Sequence, residues 1–101
     1  MMKVTVILEQ PKNADRFNRH YIDVHLPLIY ALPGVQNVHH SYVTESQFSL
    51  FSPYIIASFE FESEELMKVA LNSEFGARLY ADVPNLMNDL HHPPQILFSK
   101  A

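Results

Sequence analysis

The order of apolar and polar positions divides the chain into short alternating runs and longer stripes of helical period. Lys3-Val4-Thr5-Val6-Ile7-Leu8-Glu9 is brief, β-branched and roughly alternating, which predicts a strand ended by Pro11. Asn13 is placed to cap a helix by accepting a backbone N–H, and Asp15 suits the positive end of that helix's dipole. The period then turns helical. Phe17, Tyr21, Val24, Leu28 and Ala31-Leu32 fall in one stripe, and Pro33-Gly34 closes it. Arg19 and Asp23, four apart on the opposite face, form a solvent-side pair. Val35 to Glu45 reads as a second strand, with Val38, His40 and Tyr42 on one face and His39, Ser41 and Val43 on the other. Tyr54 to Glu62 is a third, with Ile55, Ala57, Phe59 and Phe61 on one side. Ser63 caps a helix carrying Leu66, Val69 and Ala70 at helical spacing. A further helical piece, about Glu74 to Asp82, presents Phe75 and Leu79 and is stopped by Pro84 and Asn85. After the polar His91-His92-Pro93-Pro94 turn, Gln95 to Ser99 is a fourth strand.

The predicted order is β-α-β-β-α-β with one extra helical segment. That is an α+β, ferredoxin-like arrangement, a four-stranded antiparallel sheet with its helices on one face. The chain of 101 residues fits a single domain, and its 48% hydrophobic content suffices for a modest core. A sheet this small with one open face is cheaply covered by a second copy, so a homodimer through that face is expected. Seven Lys and Arg against eleven Asp and Glu give a formal charge of −4, and no basic run exists, so no nucleic-acid partner is expected. The longest apolar stretch, Leu26 to Val35, is broken by Pro27, Pro33 and Gly34 and falls short of the ~18 residues of a membrane span. The N-terminus alternates like a strand and lacks the parts of a signal peptide, which makes cytoplasmic the default. The chain has no cysteine, hence no disulfide or thiolate nucleophile. Gly34 and Gly76 are its only glycines, so no phosphate-cradling loop exists and no cofactor is expected.

Two stretches carry a family likeness. Phe17-Asn18-Arg19-His20-Tyr21-Ile22-Asp23-Val24-His25-Leu26-Pro27-Leu28, running on to Leu32-Pro33-Gly34, resembles the first-helix pattern of EthD-like proteins. Asn72-Ser73-Glu74-Phe75-Gly76, continuing to Ala81-Asp82-Val83-Pro84-Asn85, is similar to the ending of that family's second helix. The resemblance spans essentially the whole chain, residues 1–101, as one EthD-like domain. It implies a ferredoxin-like monomer that pairs sheet to sheet into a dimeric α/β barrel, with a pocket between each sheet and its helices. It does not imply one reaction, since relatives include cofactor-free oxygenases, polyketide cyclases, decarboxylases and lactone isomerases. In the isomerase the first-helix histidine, here His25, works with cysteine chemistry and a tyrosine whose place Val38 takes, so that isomerisation is not carried over.

His25 is the candidate catalytic residue. It lies at the margin of the helical stripe one turn after Tyr21, and an ordinary histidine pKa of ~6.5 suits proton transfer near neutrality. Pro27 has no N–H to offer the carbonyl of Asp23, so the helix is expected to bend beside it. The plainer alternative is a core-edge histidine satisfied by a backbone carbonyl. His40 and Tyr42, on the strand face that the resemblance turns towards the helices, join Tyr21 and Tyr80 as candidate substrate-binding residues. Cross-strand pairing at a sheet edge is the bland reading of His40 and Tyr42. No metal site is expected, because His20 and His25 are five apart on different helix faces and the adjacent histidine pairs diverge. Phe48, Leu50 and Phe51 within Ser46 to Pro53 read as a dimer contact, with a lid or packing on their own domain as alternatives.

The functional expectation is a small-molecule protein. In its enzymatic form it is a cofactor-free lyase, isomerase or oxygenase acting on a small apolar or aromatic metabolite, with His25 as general acid or base. The alternative is a non-catalytic ligand-binding protein or a dimeric scaffold with a filled interior.

Overall fold

The structure, a computed structural model, describes residues 1–101. Its elements are β1 (Met2–Glu9), α1 (Ala14–His20), a π-helical turn (Tyr21–His25), α2 (Leu26–Tyr30), β2 (Gln36–Tyr42), β3 (Pro53–Phe61), α3 (Glu64–Leu71), α4 (Glu74–Met87) and β4 (Gln95–Lys100). The strands form one antiparallel sheet in the order β2-β3-β1-β4. The expected ferredoxin-like α+β arrangement is the one found. Caps start the helices as their sequences predict: Asn13 Oδ1 accepts from the Arg16 amide at 3.0 Å and Ser63 Oγ from the Leu66 amide at 3.2 Å.

The registers place Val4, Val6 and Leu8 beside Phe59, Ala57 and Ile55 on the helix side of the sheet. The core there divides into two clusters. Met2, Val4, Phe59, Phe61 and Leu32 anchor one, while Leu8, Phe17, Tyr21, Ile55 and Leu86 anchor the other. Each fully buried large side chain contributes about 1.5–3 kcal/mol of hydrophobic stabilisation. Val6 packs against both clusters and bridges them.

Four expectations need correction. First, the buried stripe of the opening helix is Phe17, Tyr21, His25, Ile29 and Leu32, whereas Val24 is exposed and Leu28 only half-buried. The cause is the π turn, in which the Leu26 amide donates to the carbonyl of Tyr21, five residues back. Pro27 cannot donate to Asp23, so the ladder widens there and the phase slips by one residue. Second, Pro84 does not stop α4, which runs on to Met87. A proline removes one backbone bond, and here the burial of Leu86 and Leu90 against Phe17 and Leu8 holds the chain helical past it. Third, Arg19 and Asp23 form no ion pair, Asp23 lying within the widened turn. Fourth, α3 buries Met67 and Ala70 and leaves Leu66 and Val69 exposed. The open sheet face is mixed. Ile7 faces Ile56 across the strands and Leu97 is exposed nearby, but Lys3, Thr5, Ser58 and Glu60 share the surface.

In the Ser46 to Pro53 connection Phe48 and Leu50 are fully exposed, whereas Phe51 is 37% exposed and the Ser52 carbonyl accepts from the Gln10 amide at 2.9 Å.

Candidate functional site

The gap between the two core clusters is a cavity under the helices. Its enclosed part measures about 50 Å³, and the hollow reaches about 600 Å³ when its open rim is counted. The smaller figure is what a fixed occupant would fill, room for a few waters but well below the ~300–1,000 Å³ of a typical ligand pocket. Val4, Val6, Leu8 and Phe59 floor it from the sheet, and Tyr21, His25 and Ile29 line it from the first helical stretch. Tyr80 and Val83 of α4, with Pro94, Ile96 and Phe98 at and within β4, complete the wall. Tyr80, Ile96 and Phe98 are also solvent-exposed, so the hollow opens between α4 and β4.

His25 is buried, and its Nδ1 lies 2.8 Å from Asp82 Oδ2. Asp82 is buried as well but is not part of the cavity wall, so the ring edge bearing Nε2 is the one left towards the cavity. Nδ1–H donates to the carboxylate, which fixes the tautomer and leaves a lone pair on Nε2. Burial pushes the His25 pKa below its ordinary value, against the opposing pull of Asp82, so the ring is neutral at pH 7. Burial alone would raise the Asp82 pKa. Hydrogen bonds from Asn85, His25 and His20 outweigh that and hold the carboxyl below its ordinary value.

The second histidine on this carboxylate is unexpected. His20 Nε2 lies 2.8 and 2.9 Å from the two oxygens of Asp82, and Asn85 Nδ2 donates to Oδ1 at 3.0 Å. In an α-helix, residues five apart point ~140° from one another, which is why His20 and His25 were placed on different faces. Across a turn closed by an i→i+5 bond, five residues come close to a full revolution, and both rings reach one acceptor. Asp82 and Asn85 lie in the Ala81-Asp82-Val83-Pro84-Asn85 motif, yet nothing in that motif says that α4 aims them at the first helical stretch.

Tyr21 is fully buried and lines the cavity, with its ring 6.0 Å from that of His25 and 5.8 Å from that of His40. Its hydroxyl has no hydrogen-bond partner, a condition that costs ~1–3 kcal/mol in a buried site. Burial, first of all, pushes its pKa up to about 12, so the group stays a neutral donor. His40 and Tyr42 stand edge to face on the exposed helix-side surface of β2, outside the cavity wall. Tyr42 Oη donates to Asn18 Oδ1 at 3.2 Å, and Asn18 Nδ2 donates to Tyr54 Oη at 2.7 Å. Tyr80 does line the cavity, at its rim. No residue of Ser46 to Pro53 reaches it.

Comparison with known proteins agrees with this architecture. A sequence model described as EthD domain matches residues 9–89. An ethyl tert-butyl ether d (EthD) family protein from Bacillus halodurans C-125 superposes with a TM-score of 0.86 at 20% identity, over 100% of this chain and 98% of the other. A monooxygenase from Streptomyces coelicolor, solved with nanaomycin D bound, superposes at 0.67 and 14% identity, over 99% of this chain and 85% of the other. A dimeric ferredoxin-like protein of unknown function from Jannaschia sp. CCS1 gives 0.68 at 15% identity, over the whole of both chains. At such identities these three structures speak to fold alone. No helix is long and apolar enough to cross a membrane.

Proposed function

The chain belongs to the EthD family, and from that membership and the geometry around His25 we propose that it binds a small apolar or aromatic molecule and moves a proton on it. The observation that carries the reading is that two residues of a largely apolar cavity wall each keep an unused polar function: Tyr21, whose buried hydroxyl has no partner, and His25, whose ring is held by Asp82 through Nδ1 alone. A buried donor without a partner is suited to a carbonyl or hydroxyl oxygen of a ligand. A neutral histidine held through Nδ1 by a carboxylate is suited to take a proton beside that oxygen. His25 is therefore the base and Tyr21 the group that holds the substrate oxygen, while Tyr80 guards the rim. His40 and Tyr42 act from outside, by bracing the ring of Tyr21 and closing its edge of the sheet.

Proton abstraction beside a carbonyl or phenol is the step that lyase, isomerase and oxygenase chemistries without a cofactor share, and which of them follows depends on the substrate. A ring would enter past Tyr80, Ile96 and Phe98 at the exposed rim. Two copies would pair through the open sheet face, where Ile7, Ile56 and Leu97 supply the apolar patch and the Jannaschia protein supplies a dimeric relative of the same fold.

The test is deuterium exchange into a small aryl ketone with binding followed separately by NMR. Wild-type protein should accelerate exchange beside the carbonyl above the buffer rate, and His25→Ala should bind the ketone without accelerating it. A ketone that binds in the cavity with no acceleration by wild type would remove the base and leave the carrier reading, which the same apolar hollow also fits.

A further inference from the structure

We propose that His20 is a positioning residue that sets the charge state of His25 through the carboxylate they share. The inference deepens the proposed function, since it rests on His25 acting as a base. Three facts support it. Asp82 receives bonds from both rings at 2.8–2.9 Å and from Asn85, so its oxygens are fully engaged and cannot turn to serve one histidine alone. The three side chains are graded in exposure, 27% for His20 against 10% for His25 and 6% for Asp82, so the first proton from solvent is met at His20. A carboxylate that only oriented His25 would need no second imidazole, yet the π turn is what brings one in.

One buried negative charge stabilises one imidazolium well and a second poorly, because the two cations would repel across the same acceptor. When His20 is protonated it takes up the charge of Asp82, and His25 stays neutral with its Nε2 lone pair available. When His20 is neutral, the whole of Asp82 acts on His25 and raises its proton affinity. The surroundings leave these groups to decide the matter. Of the other residues that line the cavity with His25, only Tyr21 and Tyr80 carry a titratable group, and the rest are apolar. His20 has Arg16 one turn before it, and Asp89, just past α4, is held in a bidentate pair by that arginine. The pKa direction of His25 is consistent with this, His20 being among the influences that lower it.

The experiment is an NMR pH titration of the His25 ring in the protein without ligand. In the wild type the His25 signal should show two inflections, one of them coinciding with the midpoint of His20. In His20→Gln, whose amide still donates to Asp82, one inflection should remain and its midpoint should rise by about a pH unit. In Asp82→Asn the midpoint should fall, and adding His20→Gln to it should change nothing further. A single inflection in the wild type, or an unmoved midpoint in His20→Gln, would overturn the proposal. The wild-type curve decides even if a variant fails to fold. The measurement uses no substrate, so it can fail while deuterium exchange by His25 stands, and the reverse.

Discussion

The amide of Leu26 bonds the carbonyl of Tyr21, five residues back, and this one long turn decides what faces the cavity. It turns His25 inward in place of Val24, and it brings His20 round to the same carboxylate. Pro27 is the local cause, since an N–H there would restore the ordinary bond to Asp23. Pro27→Ala should therefore let the turn close as an α-helix. The expected outcome is a folded protein in which His20 and His25 no longer titrate as a coupled pair. An NMR titration checks it, and retained coupling would show that burial of Tyr21 and Ile29, not the proline, holds the turn.

Stability should fall on acidification in two stages. His25 is held below its ordinary 6.5, first by burial, so the unfolded chain takes up that proton earlier than the folded one. Its contribution is full above pH 6.5 and is lost as pH falls through the lower folded value. Asp82 and Asp89 are held below 3.8, Asp89 chiefly by its hydrogen bond from Arg16, so their contribution is full above pH 3.8 and is lost further down. Urea titrations at pH 7.5, 5 and 3.5 (round values on either side of the ordinary histidine and carboxylate ranges) should give successively lower midpoints. In His25→Gln the first stage should shrink.

The bare Cα of Gly76 lies against the end of α3. A Cβ there would sit 2.0 Å from the Leu71 carbonyl oxygen and 2.8 Å from that of Ala70. Both are backbone atoms, so the two helices would have to separate. Gly76→Ala should cost about 1–3 kcal/mol or more, as overpacking does, despite alanine's better helix propensity. Chemical denaturation measures it, and an unchanged midpoint would mean that α4 slides freely on α3.

Tyr21→Phe separates stability from function. Removing a buried hydroxyl that has no partner should leave the protein equally stable or stabilise it by ~1–3 kcal/mol. The same change should weaken binding of a phenol or aryl ketone. Thermal melts and ligand titrations on one sample read both effects. A destabilised variant with unchanged affinity would show that the hydroxyl is satisfied within the protein.

The strands, the caps and the order of elements were legible in the sequence, because alternation and capping are local signals. Asn13 and Ser63 cap as their residue types predict, and Phe59 and Phe61 face the core as their spacing predicts. The candidate site was only half legible. Helical period assumes 3.6 residues per turn, so one π turn was enough to misplace Val24 and to separate His20 from His25 on paper. Asp82 is 57 residues from His25, and its role follows from how α4 packs rather than from its neighbours in the chain. Pro84 looked like a stop because local chemistry favours one, and burial of Leu86 and Leu90 prevailed. The cavity itself is a property of how two clusters fail to meet, which no pattern of positions records.

The central claim is that His25 presents an unprotonated Nε2 to a ligand in the cavity. Nitrogen-15 NMR of the ring at neutral pH, with and without phenol as probe, tests it most directly. The account predicts an Nδ1–H tautomer whose Nε2 resonance shifts on phenol binding, with a weaker response in Tyr21→Phe. An Nε2–H tautomer, or an Nε2 resonance that ignores bound phenol, would contradict it.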